Sequence, residues 1–420
     1  MIKSALRSLL SQRWLQAALR AVYGYFFEEI SRIRHANPEV GEINPLAARS
    51  VASERSRVTL LLPGISERHY FGGIATAMAF LEGFRPLVDD LRIVVTDESA
   101  LADSEKTRFP DWQIGTLETD APGYWIIPAG GREQALSMRP NECVIATAWW
   151  TAHMAARLTP DHPFIYLIQD FEPGFYPWSA RYALAAQTYA NPTRVLPVCN
   201  SQLLRDFMAQ NQYIAADALC FDPVFNPDLK AGLNDGPWPR EKRVLVYGRP
   251  TVERNAFPLV IDVLRQVVAT GAAAGWQFIS VGEPHADIGL GDGLVLESHG
   301  KLSLSAYAAE LRRCYAGVSL MISPHPSYPP LEMAAAGLQV ITNQYANKDL
   351  TQWGGGLQGF APGDTPAMAA ALSRHLADYD ERPLGVHDGS GLLGAYQTGE
   401  VAFAPLAEKV WARWLNMSAS

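Results

Sequence analysis

The chain has 420 residues, of which 48% are hydrophobic and 19% are charged, so it is long enough for two domains with separate cores. Its formal net charge of -8 at pH 7 argues against a nucleic-acid partner, because such proteins usually carry a basic surface. The four cysteines are widely spaced without a metal-ligand pattern, and they indicate buried thiols in a reducing compartment.

The N-terminal segment is basic although the chain as a whole is acidic. Lys3, Arg7, Arg13 and Arg20 occur there without an acidic residue, and apolar residues recur at helical spacing. We predict an amphipathic basic helical segment over residues 1–35. It lies either on an anionic membrane surface, at the inner face of the cell membrane, or against its own domain. Polar residues interrupt it too often for a secretory signal peptide, so we expect a cytoplasmic protein.

Beyond this segment, apolar runs rich in β-branched residues alternate with runs of helical spacing. The predicted strands of the first half are 57–65, 91–97, 124–129, 143–150, 164–170 and 194–200. Those of the second half are 243–250, 276–283, 293–300, 318–325 and 339–343. Residues 225–242, dense in Gly, Pro and Asn, form a predicted linker. The alternation predicts an α/β fold with two parallel sheets, in domains 36–230 and 231–400.

The last segment, 401–420, continues a helical pattern that starts at residue 400. It either crosses back onto the first domain or caps the second one. In both cases Val410, Trp411 and Trp414 are expected on the buried face.

The segment SYPPLEMAAAGLQVITN, residues 327–343, predicts a loop, a short helix and a buried strand. Pro329 and Pro330 mark the helix start, since proline is tolerated in the first turn, and Gly337 suits the C-terminal cap. A helix start attracts phosphate, and Glu332 in the first turn can accept hydrogen bonds from sugar hydroxyls. The segment therefore suits a nucleotide. The alternative is an ordinary crossover in which Glu332 only stabilises the helix dipole.

Basic residues follow two predicted strands of the second half. Arg249 comes directly after a strand, Arg254 lies five residues further on, and Lys301 follows Gly300 at another strand end. These ends face the ligand crevice of an α/β sheet, where cations can stabilise a departing diphosphate. A divalent metal could do the same, but the D-x-D sequence at 378–380 lies in a polar tail typical of solvated charge. We expect neither a metal nor a cofactor.

The first half offers a glycine pair and three residues that could transfer protons. Gly72 and Gly73 precede a predicted helix, where backbone N–H groups favour anions. Asp170, Glu172 and His153 are candidates for acceptor binding or proton transfer. Their alternative roles are loop caps for the two acids and helix packing for the histidine.

These features resemble the donor site of glycosyltransferase family 4, whose members have the two-domain GT-B fold. Longer segments are similar to WsaF-type polyrhamnan rhamnosyltransferases, from about residue 57 to about residue 350. They are LLPGISERHYFGGIATAMAF, YLIQDFEPGFYPWS, VYGRPTVERNAFPLVIDVL and HGKLSLSAYAAEL. The resemblance implies that Glu332 holds the ribose of a sugar nucleotide and that the preceding loop and helix start hold its diphosphate.

The resemblance also implies a full set of site residues. The expected catalytic residues are Arg249, Lys301, Asp170 and Glu172. The expected donor-binding residues are Gly72, Gly73, Tyr247, Gly248, Arg249, Arg254, Gly300, Lys301, Ser327, Tyr328, Pro330, Leu331 and Glu332.

Two positions depart from the general family 4 pattern. Pro324 stands where that pattern has another glutamate near the transferred sugar, and Gln169 stands before Asp170 where many relatives have histidine. Contacts to the sugar must therefore come from elsewhere. A 6-deoxy sugar such as rhamnose lacks the C6 hydroxyl, so a site with fewer polar groups is consistent with it.

We therefore predict transfer of rhamnose from dTDP-β-L-rhamnose to an acceptor that is a rhamnan or another cell-surface glycan. This acceptor glycan is either linked to a lipid or free of one. Family membership implies a retaining mechanism, in which the departing phosphate takes the acceptor's proton. An inverting enzyme would need Asp170 or Glu172 as base. The alternatives are a GT-B sugar-nucleotide epimerase and a non-catalytic two-domain sugar-binding protein.

Overall fold

The structure is a computed structural model that describes residues 39–66, 72–102, 107–233, 236–386 and 391–419. The predicted basic segment 1–35 lies outside these residues. The chain divides into a first unit, Met1–Asn44, and a second unit, Pro45–Ser420, which contains both sheets. No helix in the described ranges is both long and apolar enough to cross a membrane.

The first domain is built on a parallel sheet. The first ten strands are β1 (Ala48–Ser50), β2 (Arg57–Leu62), β3 (Asp90–Val95), β4 (Gln113–Ile114), β5 (Tyr124–Pro128), β6 (Leu136–Met138), β7 (Glu142–Ala146), β8 (Phe164–Ile168), β9 (Val195–Asn200) and β10 (Leu219–Phe221). Eight of them form one sheet in the order β10-β9-β8-β7-β2-β3-β5-β4, and β1 pairs with β6. The helices are α1 (Gly72–Glu82), α2 (Trp149–Leu158), α3 (Ala180–Gln187), α4 (Gln202–Gln210) and α5 (Pro227–Ala231), with a 3-10 helix at Glu172–Phe175.

The second domain repeats this architecture with one antiparallel edge. Its strands are β11 (Glu241–Gly248), β12 (Gln277–Gly282), β13 (Ile288–Gly291), β14 (Leu294–Gly300), β15 (Cys314–Val318), β16 (Gln339–Asn343) and β17 (Leu357–Phe360). They lie in the order β13-β14-β12-β11-β15-β16-β17, and β13 is antiparallel to β14. The helices are α6 (Phe257–Ala269), α7 (Leu304–Arg313), α8 (Tyr328–Ala335), α9 (Thr365–Ala377), α10 (Gly391–Thr398) and α11 (Phe403–Ala419). Short 3-10 helices occupy Glu253–Asn255, Leu350–Trp353 and Asp378–Asp380.

Both sheets are covered on their two faces, as continuous apolar strands require. All six residues of β2 and all five residues of β16 are buried. Separate hydrophobic clusters lie on the two faces of each sheet. The α/β fold with two parallel-sheet domains is therefore confirmed.

The C-terminal helix α11 packs against the first domain. Ala407, Val410 and Trp414 are buried in a cluster with the first sheet and α1. The Trp414 Nε1 group donates a 2.8 Å hydrogen bond to the carbonyl of Pro163. Trp411 is only half-buried. The helix therefore ties the end of the chain to its first sheet.

Two predicted segments differ from the structure. The strand expected at 318–325 lies earlier, at Cys314–Val318, because this buried run has small residues instead of a β-branched pattern. Residues after it form a loop that leads to the domain boundary. The predicted linker is not wholly irregular, since α5 lies within it and Asn226 caps that helix with its side chain.

Candidate functional site

The two domains meet at the carboxyl ends of their parallel strands. Asn200, the last residue of β9, donates a 2.9 Å hydrogen bond from Nδ2 to the Tyr328 hydroxyl at the start of α8. The Asn347 side chain donates a 2.8 Å hydrogen bond to the carbonyl of Leu203. These contacts place the start of α8 against the first domain, in the crevice where open α/β sheets bind ligands.

Asp170 joins the domains more strongly, through a charge pair. Its Oδ2 atom lies 3.2 Å from Arg254 Nε in the second domain. Its Oδ1 atom accepts a hydrogen bond from the Ser323 hydroxyl and a 2.8 Å bond from the Phe171 amide. The Arg254 guanidinium also lies 4.0 Å over the Phe175 ring, in cation–π geometry. Two predicted site residues, Asp170 and Arg254, are thus bound to each other across the boundary.

His325 and Lys348 complete this group, and sequence reasoning missed both. His325 is 3% exposed, and its Nδ1 atom accepts a 3.0 Å hydrogen bond from the Ser327 amide. Burial lowers the pKa of His325 to about 4, although Asp170 opposes the shift. Lys348 is 1% exposed and donates a 2.6 Å bond to the Met321 carbonyl. Burial lowers the pKa of Lys348 to about 7, again against the effect of Asp170.

We call Asp170, Arg254, Ser323, His325 and Lys348 the cleft cluster. The sequence gave little indication that these residues lie together, because they come from four separate segments of the chain. The one available signal was that His325 and Ser323 flank Pro324, where the family pattern departs.

Glu172 lies near this cluster in the chain but inside the first domain. It is 4% exposed, and its Oε2 atom accepts a 2.6 Å hydrogen bond from the Trp149 amide at the start of α2. Its Oε1 atom accepts a 3.1 Å bond from the Tyr166 hydroxyl. Burial raises the pKa of Glu172 to about 8. This geometry favours a role in capping α2, and the predicted catalytic role stays a prediction.

His153 likewise has partners within the first domain. Its Nε2 atom lies 3.0 Å from the carbonyl of Leu184, so it links α2 to the α3 helix. This contact favours the packing role that was the alternative for His153.

Glu332 is not in the first turn of its helix, so that prediction was wrong. The helix begins at Tyr328, before the two prolines, and its N-cap residue Ser327 has a positive φ of +71°. Glu332 is then the fifth helical residue. Since the dipole effect falls off within the first turn, dipole stabilisation does not account for this carboxylate.

Glu332 instead faces aromatic residues from neighbouring elements. It is half-buried, and burial raises its pKa to about 7, while the Tyr307 hydroxyl favours the carboxylate form. Its charge also contributes to the raised pKa of Tyr247, for which burial is the main cause. Tyr247 is the next-to-last residue of β11. The predicted donor residues Glu332 and Tyr247 are therefore brought together.

The predicted cations lie at strand ends, as expected, and Arg249 has an acidic partner. Arg249 Nε lies 3.1 Å from Glu283 Oε1. Glu283 also accepts a 2.6 Å bond from the Thr251 hydroxyl. Lys301 is exposed and follows Gly300, which ends β14 with φ +64°. Glu283 was missed, although it comes directly after β12 at the same edge of the sheet.

The glycines of the predicted site occupy their positions for different physical reasons. A side chain at Gly73 would lie 3.3 Å from Gln169 Oε1, so this residue keeps α1 close to the end of β8. A Cβ atom at Gly248 would lie 2.1 Å from Ser280 Oγ, so packing against β12 alone requires glycine there. A Cβ atom at Gly72 would meet no atom of the described residues within 4 Å.

The remaining predicted donor residues lie at the start of α8 or in the core. Ser327 is the N-cap residue of α8, and Pro330 lies in its first turn. Leu331 is fully buried in a cluster that consists mainly of residues of the second domain. In the described part of the chain, no group of three or more His, Cys, Asp or Glu side chains could hold a metal ion. Asp380 of the D-x-D sequence is paired with Lys242 at 3.5 Å.

Comparison with known proteins identifies both domains. Residues 57–202 match the family model of the WsaF N-terminal domain, and residues 242–373 match that of the WsaF C-terminal domain. The chain is 31% identical over 314 residues to the O-antigen biosynthesis protein RfbC of Myxococcus xanthus. That match covers 71% of this chain and 22% of RfbC, so the chain spans about a fifth of that relative.

Solved structures share the architecture at low sequence identity. HepE of Anabaena, in complex with UDP, has a TM-score of 0.56 at 13% identity and covers 85% of this chain and 100% of its own. Sucrose-phosphate synthase from Thermosynechococcus elongatus has a TM-score of 0.53 at 13% identity, with coverage of 87% and 100%. These likenesses concern the fold alone, and they confirm the predicted GT-B fold.

Proposed function

Because the chain belongs to the WsaF family, we propose that it is a glycosyltransferase that moves a rhamnosyl group from dTDP-β-L-rhamnose to a rhamnan or another cell-surface glycan. The observation that carries the proposal is the arrangement at the domain boundary. Glu332, Tyr247 and the cations at two strand ends lie in the second domain, and the start of α8 contacts the first domain through Tyr328. The UDP complex of HepE and the O-antigen role of RfbC support a sugar nucleotide and a polysaccharide product.

In this proposal the second domain holds the nucleotide. Glu332 accepts hydrogen bonds from the ribose hydroxyls, since its pKa near 7 leaves a carboxylate at slightly basic pH. Arg249 and Lys301 neutralise the diphosphate as it departs. Arg249 then exchanges its contact with Glu283, 3.1 Å away, for a phosphate oxygen.

The sugar assignment rests on chemistry at the boundary. Pro324 offers no polar side chain where the general family pattern has a carboxylate, and rhamnose lacks the C6 hydroxyl. The resemblance to polyrhamnan rhamnosyltransferases supports the same sugar.

We infer that transfer is retaining and needs no enzymic base. Asp170 is engaged by Arg254, Ser323 and its own loop, which suits a residue that holds the two domains together. A departing phosphate oxygen can instead take the proton of the acceptor hydroxyl. We also propose that the acceptor is a surface glycan on a lipid carrier, met at the inner face of the cell membrane.

Incubation with dTDP-β-L-rhamnose and a rhamnosyl oligosaccharide tests the proposal. We expect release of dTDP and an acceptor heavier by one rhamnosyl unit, with the anomeric configuration of the donor kept in the NMR spectrum. A changed sugar nucleotide without transfer would identify an epimerase. Tight binding of the sugar without any turnover would identify a binding protein, and either result would refute the proposal.

A further inference from the structure

Several buried polar atoms at the domain boundary lack a hydrogen-bond partner among the described residues. They include Gln169 Oε1, Asp170 Oδ2, Asn200 Oδ1 and His325 Nε2. Asp170 Oδ2 lies beside Arg254 Nε, but the two atoms are not aligned as a hydrogen bond. Buried polar groups are normally satisfied, so a group of such atoms at one place indicates a ligand that satisfies them.

These atoms belong to one contiguous region. Asn200 donates to the Tyr328 hydroxyl at 2.9 Å, and the Tyr328 ring lies 5.6 Å from the His325 ring. Asp170 is close enough to His325 to influence its charge. Gln169 precedes Asp170 in the chain, and its Oε1 atom lies near the start of α1, 3.3 Å from where a Cβ atom on Gly73 would be. The region thus lies between the start of α8 and the first domain.

The hydrogen-bonding capacity of His325 follows from its backbone contact. The Ser327 amide donates to Nδ1 at 3.0 Å, so Nδ1 carries no proton. In the neutral ring the proton is therefore on Nε2, which becomes a donor. Gln169, Asp170 and Asn200 each offer an oxygen that accepts. The region combines these three acceptors with two buried donors, His325 Nε2 and Arg254 Nε, the latter 3.2 Å from Asp170 Oδ2.

This combination suits hydroxyl groups better than an anion. The Arg254 charge is already balanced by the Asp170 carboxylate 3.2 Å away, and the acceptor oxygens would repel a phosphate, whereas a hydroxyl both donates and accepts. We propose that His325, with Gln169, Asp170 and Asn200, forms a hydroxyl-binding subsite that orients the transferred sugar. This inference rests on the proposed function, and it assigns to His325 the contact that Pro324 cannot make.

The chain supplies a matched control in His375 of α9. His375 is 7% exposed, its Nε2 atom also lacks a partner among the described residues, and burial lowers its pKa to about 4. Its charged neighbours are Asp378 and Arg374, close to it in the chain, and it packs inside the second domain. A substitution of His375 should affect folding about as much as the same substitution of His325, but it leaves the domain boundary unchanged.

The test compares the affinities for dTDP and dTDP-β-L-rhamnose by calorimetric titration, together with kcat/KM and the melting temperature. For His325→Phe we expect kcat/KM for dTDP-rhamnose to fall about tenfold to a hundredfold, since a sugar hydroxyl loses its buried partner. Affinity for dTDP should stay within about threefold, because the nucleotide does not use this contact. His325→Gln, which keeps an N–H donor, should recover part of the loss. His375→Phe should match the wild type in both affinities.

Equal losses of dTDP and dTDP-rhamnose affinity in folded His325→Phe would overturn the subsite, as would no loss at all. If this variant does not fold, Gln169→Leu is measured in its place with the same expected selective loss and the same overturning results. If the wild type transfers rhamnose and these variants do so equally well, the proposed function stands and only the proposed subsite is refuted. A wild type that binds no sugar nucleotide refutes both.

Discussion

Two groups of buried charges in this chain are built in opposite ways. The first, the paired cluster, lies across the amino ends of three adjacent strands of the first sheet, and consists of Arg57, Asp90, Arg92, Arg139 and Glu142. The second is the cleft cluster at the domain boundary. All four carboxylate oxygens of the paired cluster have basic partners, and Arg57 Nε is its one buried side-chain polar atom without a hydrogen-bond partner among the described residues. In the cleft cluster, three such atoms lack an aligned partner there, namely Asp170 Oδ2, Arg254 Nε and His325 Nε2.

The difference appears in the pKa values. Burial alone would raise the pKa of Glu142, but Arg92 and Arg57 overcome it, so the pKa is lowered. At Lys348 in the cleft cluster, Asp170 does not overcome the effect of burial, and the pKa is lowered to about 7. A cluster whose carboxylates are all paired with cations stabilises one domain. A cluster whose buried polar atoms lack aligned partners remains able to bind a polar ligand.

Removal of a carboxylate from the paired cluster should have the largest effect on folding. Glu142→Ala removes the carboxylate that pairs with buried Arg92 and leaves Arg57, 2.6 Å from Glu142, with the part-exposed Asp120 as its remaining charge partner among the described residues. We expect a loss of about 3–5 kcal/mol in the free energy of unfolding, measured with urea. Asp120→Ala is the control, since Asp120 is 30% exposed in its pair with Arg57 and should cost about 1 kcal/mol or less. Equal costs for the two variants would contradict the comparison.

Removal of a cation at the boundary should affect turnover more than folding. We expect Arg249→Ala or Lys301→Ala to lower kcat by about 10²–10³, because each is proposed to neutralise the departing diphosphate. The melting temperature should change little, since Arg249 is part-exposed and Lys301 is exposed. Glu283→Gln changes the acidic partner of Arg249 and keeps both cations, so it should lower kcat much less than either alanine variant does. Full activity of both alanine variants would exclude this charge stabilisation.

Glu172 allows a test by pH. Its pKa of about 8 in the folded protein is above its ordinary 4.5, so the folded state holds the proton more tightly. Stability should therefore fall as pH rises from about 4.5 to about 8, by at most about 1.4 kcal/mol per pH unit, and level off above that. Glu172→Gln should remove this part of the pH dependence and retain turnover. Loss of turnover in a folded Glu172→Gln protein would instead support the predicted catalytic role.

The smallest expected effect is that of a chelator. If Arg249 and Lys301 stabilise the diphosphate, EDTA should leave kcat unchanged. Loss of activity in EDTA that is restored by manganese or magnesium would remove the metal-free mechanism.

Much of the fold could be predicted from the sequence, because parallel strands buried on both faces appear as continuous apolar runs. β16 was predicted to the residue at Gln339–Asn343. β15 was missed because its residues, Cys314–Val318, include small ones that let Met333 pack closely against Gly317. The two-residue strand β4 is too short to form any periodic pattern.

The site could be predicted mainly where residues follow strand ends. Arg249 and Lys301 were visible for that reason, and the α8 segment was visible through the two prolines at its start. His325 and Asn200 could not be predicted as site residues. Their proximity depends on how the two domains, which are distant in sequence, meet through Tyr328. The catalytic role predicted for Glu172 came from the family resemblance of the segment that it shares with Asp170, and the sequence did not show that both its oxygens accept hydrogen bonds within the first domain.

The central claim is that Glu332 binds the nucleotide and that Glu172, buried in the first domain, does not, and titration of dTDP into two isosteric variants tests it directly. Both Glu332 and Glu172 have pKa values raised by burial, to about 7 and about 8. Glu332→Gln should weaken dTDP binding about tenfold to a hundredfold through loss of a charge-assisted hydrogen bond, while Glu172→Gln should leave it unchanged. Unchanged dTDP affinity in a folded Glu332→Gln protein would contradict the account.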